Sequence, residues 1–232
     1  MDIGRAFSYV FEDEEWLTVI LIGGLLLLIP IFGQIVLIGF MLEAARNVAN
    51  GSPRRLPRWS NIGEKFSQGL AGFVIGLVYA LPVLLLAFVL VCVAISGAVA
   101  AGGSEDGGAV GGLIGLTSLC LVPLMVLLGL VLQPLMLAGY GRYLQTGSLG
   151  AALRVGDVWA MLRADLGGWV VLWLLQLVCG VVAGLGSVAF VIGALFTGVY
   201  AQAVFGHLLG QHLRRSAQPS TMDYVSPTPP AF

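Results

Sequence analysis

The chain has 232 residues, of which 58% are hydrophobic and only 10% charged, with a mean hydropathy of +0.97. A soluble domain carries about 25% charged residues, so these charges are too few to coat a water-facing globule. A net charge of −1, with no basic patch interleaved with aromatics, gives no footing for nucleic acid, and three cysteines without a CxxC pair give none for a metal centre or disulfide framework.

Chain order sharpens this. The charges cluster at 2–15, 43–65, 105–106, 142–165 and 214–223. Four charge-free runs separate the clusters: Trp16–Leu42, Phe66–Ser104, Gly107–Gly141 and, with His207 and His212 neutral, Leu166–Leu213. A crossing needs about 20 apolar residues to traverse about 30 Å of hydrocarbon. The first three runs, at 27, 39 and 35 residues, each hold one span, and the fourth, at 48, holds two with a turn near Gly180, Gly184 and Gly186. The expected fold is an all-α integral membrane protein with about five transmembrane helices, at 16–42, 68–100, 112–138, 166–185 and 188–210. These form one transmembrane domain over 16–213, flanked by an interfacial segment at 1–15 and a Pro-rich tail at 214–232.

The N-terminal segment offers Phe7, Val10, Phe11 and Trp16 as interfacial anchors. Its acidic run Glu12-Asp13-Glu14-Glu15 is unlike the basic region of a signal peptide, so the first apolar run is expected to stay in the mature protein. Pro30 sits near the middle of that run. A single kinked crossing is favoured, since proline is tolerated inside membrane helices, with a re-entrant hairpin as the alternative. Segment 53–65, with Pro53, Pro57 and Trp59, reads as an irregular strip leading to a helix capped by Ser60 or Asn61. Segment 148–165 reads as one amphipathic interfacial helix, with Leu149, Ala152, Leu153, Gly156 and Trp159 on its apolar stripe and Arg154, Asp157 and Asp165 opposite. The tail from Ser216 has too few apolar residues to fold alone.

Five of the eleven Lys and Arg residues lie in 43–65, three in 142–165 and two in the tail. Basic loops stay cytoplasmic, which puts these segments inside a plasma membrane and Glu105/Asp106 outside; a single first crossing then puts the N-terminus outside. A 96-residue offset superposes Arg46, Gly51 and Ser52 on Arg142, Gly147 and Ser148, and Arg58, Leu70 and Gly72 on Arg154, Leu166 and Gly168. This weak internal repeat makes 16–42 the counterpart of 112–138.

The opening Ile3-Gly4-Arg5-Ala6-Phe7-Ser8-Tyr9, then Leu21-Ile22-Gly23-Gly24-Leu25, Ile29-Pro30-Ile31-Phe32-Gly33 and Gly39-Phe40 carry a resemblance. Arg46 with Gly51, Leu56-Pro57 and Trp59 continue it, as do Tyr200-Ala201-Gln202 and Gly206-His207-Leu208 with Gly210-Gln211. Over nearly its whole length the chain resembles the domain of unknown function 4013 family, widespread in prokaryotes. One departure is Gln34, where the family pattern has proline. The resemblance implies a polytopic membrane protein and brings no activity, cofactor or catalytic residue.

No Asp, Glu, Lys or Arg lies inside an expected span, which argues against a carboxylate proton relay, and no HExxH or nucleophile set supports an enzyme or a cofactor site. Cys92, Cys120 and Cys179 read as small buried hydrophobes. The polar candidates within spans are Gln133, Gln176, Gln202 and His207, for which cross-helix packing is the ordinary explanation. Glycines four apart (Gly72/Gly76, Gly111/Gly115, Gly180/Gly184, Gly206/Gly210) are helix-packing candidates, within the chain or towards a partner or second copy. Arg54, Arg55, Arg58 and Lys65 are candidate lipid-headgroup contacts, although fixing topology is their plainer role. The leading functional expectation is a non-catalytic accessory subunit docking through its glycine faces. The alternative is a small permease for an apolar or amphipathic solute, which requires the glutamines to converge on one cavity.

Overall fold

The computed structural model describes residues 1–101, 107–189 and 191–217, so Glu105, Asp106 and tail residues 218–232 lie outside the described residues. The described chain is helical throughout, with turns and no strand. Its helices are α1 (Ile3–Ser8), α2 (Trp16–Leu26), α3 (Phe32–Ala49), α4 (Ile62–Ala101), α5 (Gly107–Thr146), α6 (Leu149–Ala152), α7 (Val155–Ala164), α8 (Leu166–Leu185) and α9 (Val191–Ala217). Among the described residues, five stretches are long and apolar enough to cross a membrane: Phe32–Ala49, Trp59–Val99, Ile114–Thr146, Leu166–Leu185 and Ile192–Ala217.

The chain does not make the expected single crossing over 16–42. The helix breaks between Leu26 and Phe32, and α2, with 11 residues, rises only about 16 Å, too little to span a bilayer. Pro30 withholds a backbone donor, and Ile31 takes φ 65° and ψ −57° while the Phe32 amide donates to the Pro30 carbonyl at 2.7 Å. This tight γ-turn reverses the chain. Gly33 lets the two arms meet, since a Cβ there would overlap the Leu26 carbonyl.

The direction of each arm follows from its neighbours on α9. Along α2, Gly23 abuts Val199 and Gly24 abuts Phe196, with Leu27 reaching Gly198, whereas Tyr9, earlier in the chain, bonds to Ala203. Along α3, Gly206 meets the Met41 carbonyl and Gly210 meets the Ala45 carbonyl. Thus α2 runs against α9, α3 runs with it, and 16–42 is a helical hairpin.

The hairpin places the N-terminus where the single crossing did not. Asp2, which caps α1 by accepting from the Arg5 amide at 2.9 Å, donates its own backbone N–H to Gln211 near the end of α9. Gly51 lies beside Arg214, Gly141 beside Leu213 and Gly168 beside His212. The N-terminal segment and all three basic segments therefore share one end of the molecule, the basic end.

Gly51 and Gly147, matched by the 96-residue offset, both adopt φ +67° just beyond α3 and α5. A left-handed glycine ends a helix without a Cβ clash. Beyond these ends the segments diverge: 53–58 is irregular and passes into a short 3-10 turn at Trp59–Asn61, whereas 149–164 is helical. The single amphipathic helix expected over 148–165 is instead two, α6 capped by Ser148 and α7, separated at Leu153 and Arg154. Ala152, Val158 and Leu162 form the buried face, and Trp159 turns outward beneath Arg163 rather than joining the stripe.

The core surrounds the C-terminal half of α9, where Val204, Leu208, Leu209 and His212 are fully buried against α3, α8 and the N-terminal segment. By contrast, α4 and α5, at 40 residues each, extend outward as a pair with Leu85, Phe88, Ile95, Leu119 and Leu127 exposed. Pro82, Pro123 and Pro134 are all accommodated inside these helices.

Candidate functional site

A cavity of about 580 Å³ opens between α3, α5, α8 and α9. It receives Gln34 from α3, Gln133 from α5, Gln176 from α8 and Gln202 from α9, with Cys179, Gly180, Gly198 and Phe205 among the apolar residues of its wall. Gly180 and Gly198 leave space because neither carries a side chain: a Cβ on Gly180 would meet nothing within 4 Å.

Its depth follows from helix rise. Gln133 lies nine residues before Arg142, Gln176 eleven after Asp165 and Gln202 twelve before Arg214, so the glutamines sit about 13–18 Å from the charged end. That distance is about half the thickness of a hydrocarbon layer of about 30 Å.

The carbonyl oxygens of Gln133 and Gln176 are buried with no hydrogen-bond partner. An amide oxygen withdrawn from solvent without a partner costs about 1–3 kcal/mol. Such orphaned groups mark places where a water or ligand supplies the missing bond, or where function maintains the cost. Four neutral amides can donate and accept hydrogen bonds, but they cannot neutralise an ion. The chemistry suits the polar head of an uncharged molecule with an apolar body.

Of the four polar residues anticipated within spans, three converge here, and His207 does not. Its ring stacks on Tyr9 at 4.3 Å between centroids, and its Nδ1 lies 3.0 Å from Gln211 Nε2. Gln211 also binds the backbone of Asp2, so His207 belongs to the clamp that holds the N-terminal segment on α9. Gln34 and Cys179 were not anticipated as cavity residues. Gln34 left a signal, as a glutamine where the resemblance leads one to expect proline; Cys179 left none.

The packing glycines divide. Gly72 faces Ile38 and Leu42, Gly76 faces Tyr140, and Gly206 and Gly210 face the backbone of α3, so these four are used within the chain. Gly111, Gly115, Gly180 and Gly184 have open space before them. A tight α3–α4 crossing depends on a pair outside the four-residue series: Gly39 and Gly69, where either added Cβ would overlap the opposing backbone. The basic candidates divide too. Arg58 pairs with Asp13 at 2.9 Å and with Glu15, and buried Lys65 pairs with Glu43 at 2.8 Å, so both serve the fold. Arg54 and Arg55 line a separate surface cavity.

The sequence profile of a family described as protein of unknown function (DUF4013) matches residues 22–195, most of the chain. The chain belongs to the DUF4013 family. No curated protein and no solved structure is significantly similar to this DUF4013 chain. The matched region contains the hairpin turn and the cavity residues Gln34, Gln133 and Gln176, while Gln202 lies beyond it.

Proposed function

We propose that this protein is a non-catalytic, multi-pass membrane protein that binds an uncharged amphipathic solute at mid-membrane depth, as a small permease or its solute-binding component. The observation that carries the reading is the convergence of four glutamines from four helices on one cavity, two of them with unpartnered buried carbonyl oxygens. A volume near 580 Å³ lies within the range of about 300–1,000 Å³ typical of small-molecule sites. The basic end faces the cytoplasm of a plasma membrane on this reading, because Lys and Arg concentrate there. The N-terminus accompanies it.

Cys179 provides the test, since it lines the cavity while Cys92 and Cys120 are exposed elsewhere. In a Cys92→Ala/Cys120→Ala background reconstituted in nanodiscs, a membrane-permeant maleimide would label Cys179. Octanol or octanamide should slow labelling, octane should not, and Gln133→Leu/Gln176→Leu should abolish the difference. Equal protection by octane and octanol, or none by either, would sink the reading.

A second reading, an accessory subunit docking to a larger membrane complex or to a second copy, draws support from the open faces at Gly111, Gly115 and Gly184 and from the projecting α4–α5 pair. Small residues on an exposed helix face let another helix approach closely in lipid. The particle mass after mild detergent extraction separates monomer from assembly.

A further inference from the structure

The basic end carries a second cavity, of about 270 Å³, lined by Arg5 and Tyr9 of the N-terminal segment, Glu12 and Asp13 of the acidic run, and Arg54 and Arg55 of the linker after α3. Asp13 is already held by Arg58. Among the described residues, Arg5, Arg54 and Arg55 enter no side-chain ion pair. The Tyr9 hydroxyl donates to the Ala203 carbonyl at 2.9 Å and is not free for a ligand. Three guanidinium groups thus share one concavity with a single uncommitted carboxylate, Glu12. Like charges gathered in a partly enclosed space repel, and an anion between them relieves the repulsion while accepting their forked N–H groups.

A neighbouring groove of about 490 Å³ shares Arg54 with this cavity. The Glu15–Arg58 pair, Thr18 and Ser60 line its polar side, and Val19 and Ile22 of α2 and Trp59 its apolar side. Trp59 is fixed there, because its Nε1 donates to the Val19 carbonyl at 2.7 Å and its ring stacks on Phe40. Trp16 and Trp59 are residues of the kind that sit at headgroup level, so the charged cavity opens at the membrane surface and the groove leads towards hydrocarbon. We propose that Arg5, Arg54 and Arg55 bind a phosphate group, and that this phosphate belongs to an anionic phospholipid whose acyl chain lies along Val19, Ile22 and Trp59. The site is independent of the glutamine cavity.

The test uses the full chain in detergent micelles, with lipid binding followed by native mass spectrometry. Phosphatidylglycerol should be retained over phosphatidylcholine of the same chain length by about tenfold or more, and Arg54→Gln/Arg55→Gln should reduce that affinity at least about tenfold. Arg54→Lys/Arg55→Lys, which keeps the charge and loses the fork, should fall between. Arg163→Gln removes a charge that lies over Trp159, outside the cavity, and should change nothing. Equal retention of the two lipids, or an unchanged affinity in Arg54→Gln/Arg55→Gln, would overturn the site. Inorganic phosphate binding as tightly as phosphatidylglycerol would overturn the lipid assignment and leave a free-phosphate site.

Discussion

Tyr9 lies flat against His207, with ring centroids 4.3 Å apart and planes inclined by 28°, and its hydroxyl donates to the Ala203 carbonyl one turn earlier on α9. Together with Tyr200, whose hydroxyl donates to the Phe7 carbonyl at 2.8 Å, it fastens the N-terminal segment to the central helix. Tyr9→Phe should lower stability by about 1 kcal/mol and Tyr9→Ala by about 3–5 kcal/mol, measured by thermal unfolding in detergent. Burial is the main influence raising the Tyr9 phenol above its ordinary value of about 10, with Tyr200 and Asp13 adding to it. A raised acid is neutral in the fold and ionises more readily when unfolded. Its contribution is therefore complete below about pH 10 and is lost as pH rises beyond that value. Tyr9→Phe should flatten that alkaline decline.

Ile31 holds a positive-φ backbone, φ 65°, and the residue is 71% exposed. A β-branched residue there stores about 1–3 kcal/mol of strain, whereas glycine adopts the conformation freely at a smaller entropic cost. Ile31→Gly should raise stability by about 1 kcal/mol without disturbing the hairpin. A lowered unfolding midpoint in that variant would contradict the γ-turn.

Gly39 and Gly69 predict a contrast between glycines that look alike in sequence. Gly39→Ala and Gly69→Ala should each destabilise by about 1–3 kcal/mol or more, because the opposing atoms are backbone and cannot move aside cheaply. Gly111→Ala and Gly184→Ala, with nothing near the added carbon, should be neutral or slightly stabilising in the monomer. Disruption of a defined oligomer by either of the latter, with monomer stability intact, would favour the docking role.

Lys65, 2% exposed at its side chain, depends on Glu43, which is 28% exposed. Glu43→Gln leaves a buried ammonium without its counter-charge, and the loss should approach, without reaching, the about 3–5 kcal/mol of a fully buried pair. Glu43→Leu/Lys65→Met should recover most of that loss, as measured by denaturant titration of all variants.

Hydropathy alone carried the helical class and the number of long apolar helices, because the requirement to bury backbone polar groups in lipid leaves a direct trace in composition. Local signals also bound α8, Leu166–Leu185: Asp165 caps one end and Gly186 follows the other. The reversal at 27–31 was ambiguous in sequence, because Pro30 is compatible with either a kink or a turn. Contacts of the two arms with α9, more than 150 residues away, decide between them.

The candidate sites divide along the same line. Gln133, Gln176 and Gln202 stand out in sequence as polar residues in apolar helices, and each alone is consistent with ordinary packing. Their convergence with Gln34 on one cavity depends on the rotation of four helices about their axes, and the weakly amphipathic α5 carries almost no sequence signal for its rotation. Among the described residues, the separation of paired Arg58 and Lys65 from Arg5, Arg54 and Arg55, which enter no ion pair, likewise depends on where acidic partners land in space. Local sequence determined which segments are helical and where the charges concentrate, because helix formation and lipid solvation act on a residue and its near neighbours. Tertiary structure alone decided which faces meet, because packing in lipid is settled by shape complementarity between distant helices, and no short-range pattern encodes it.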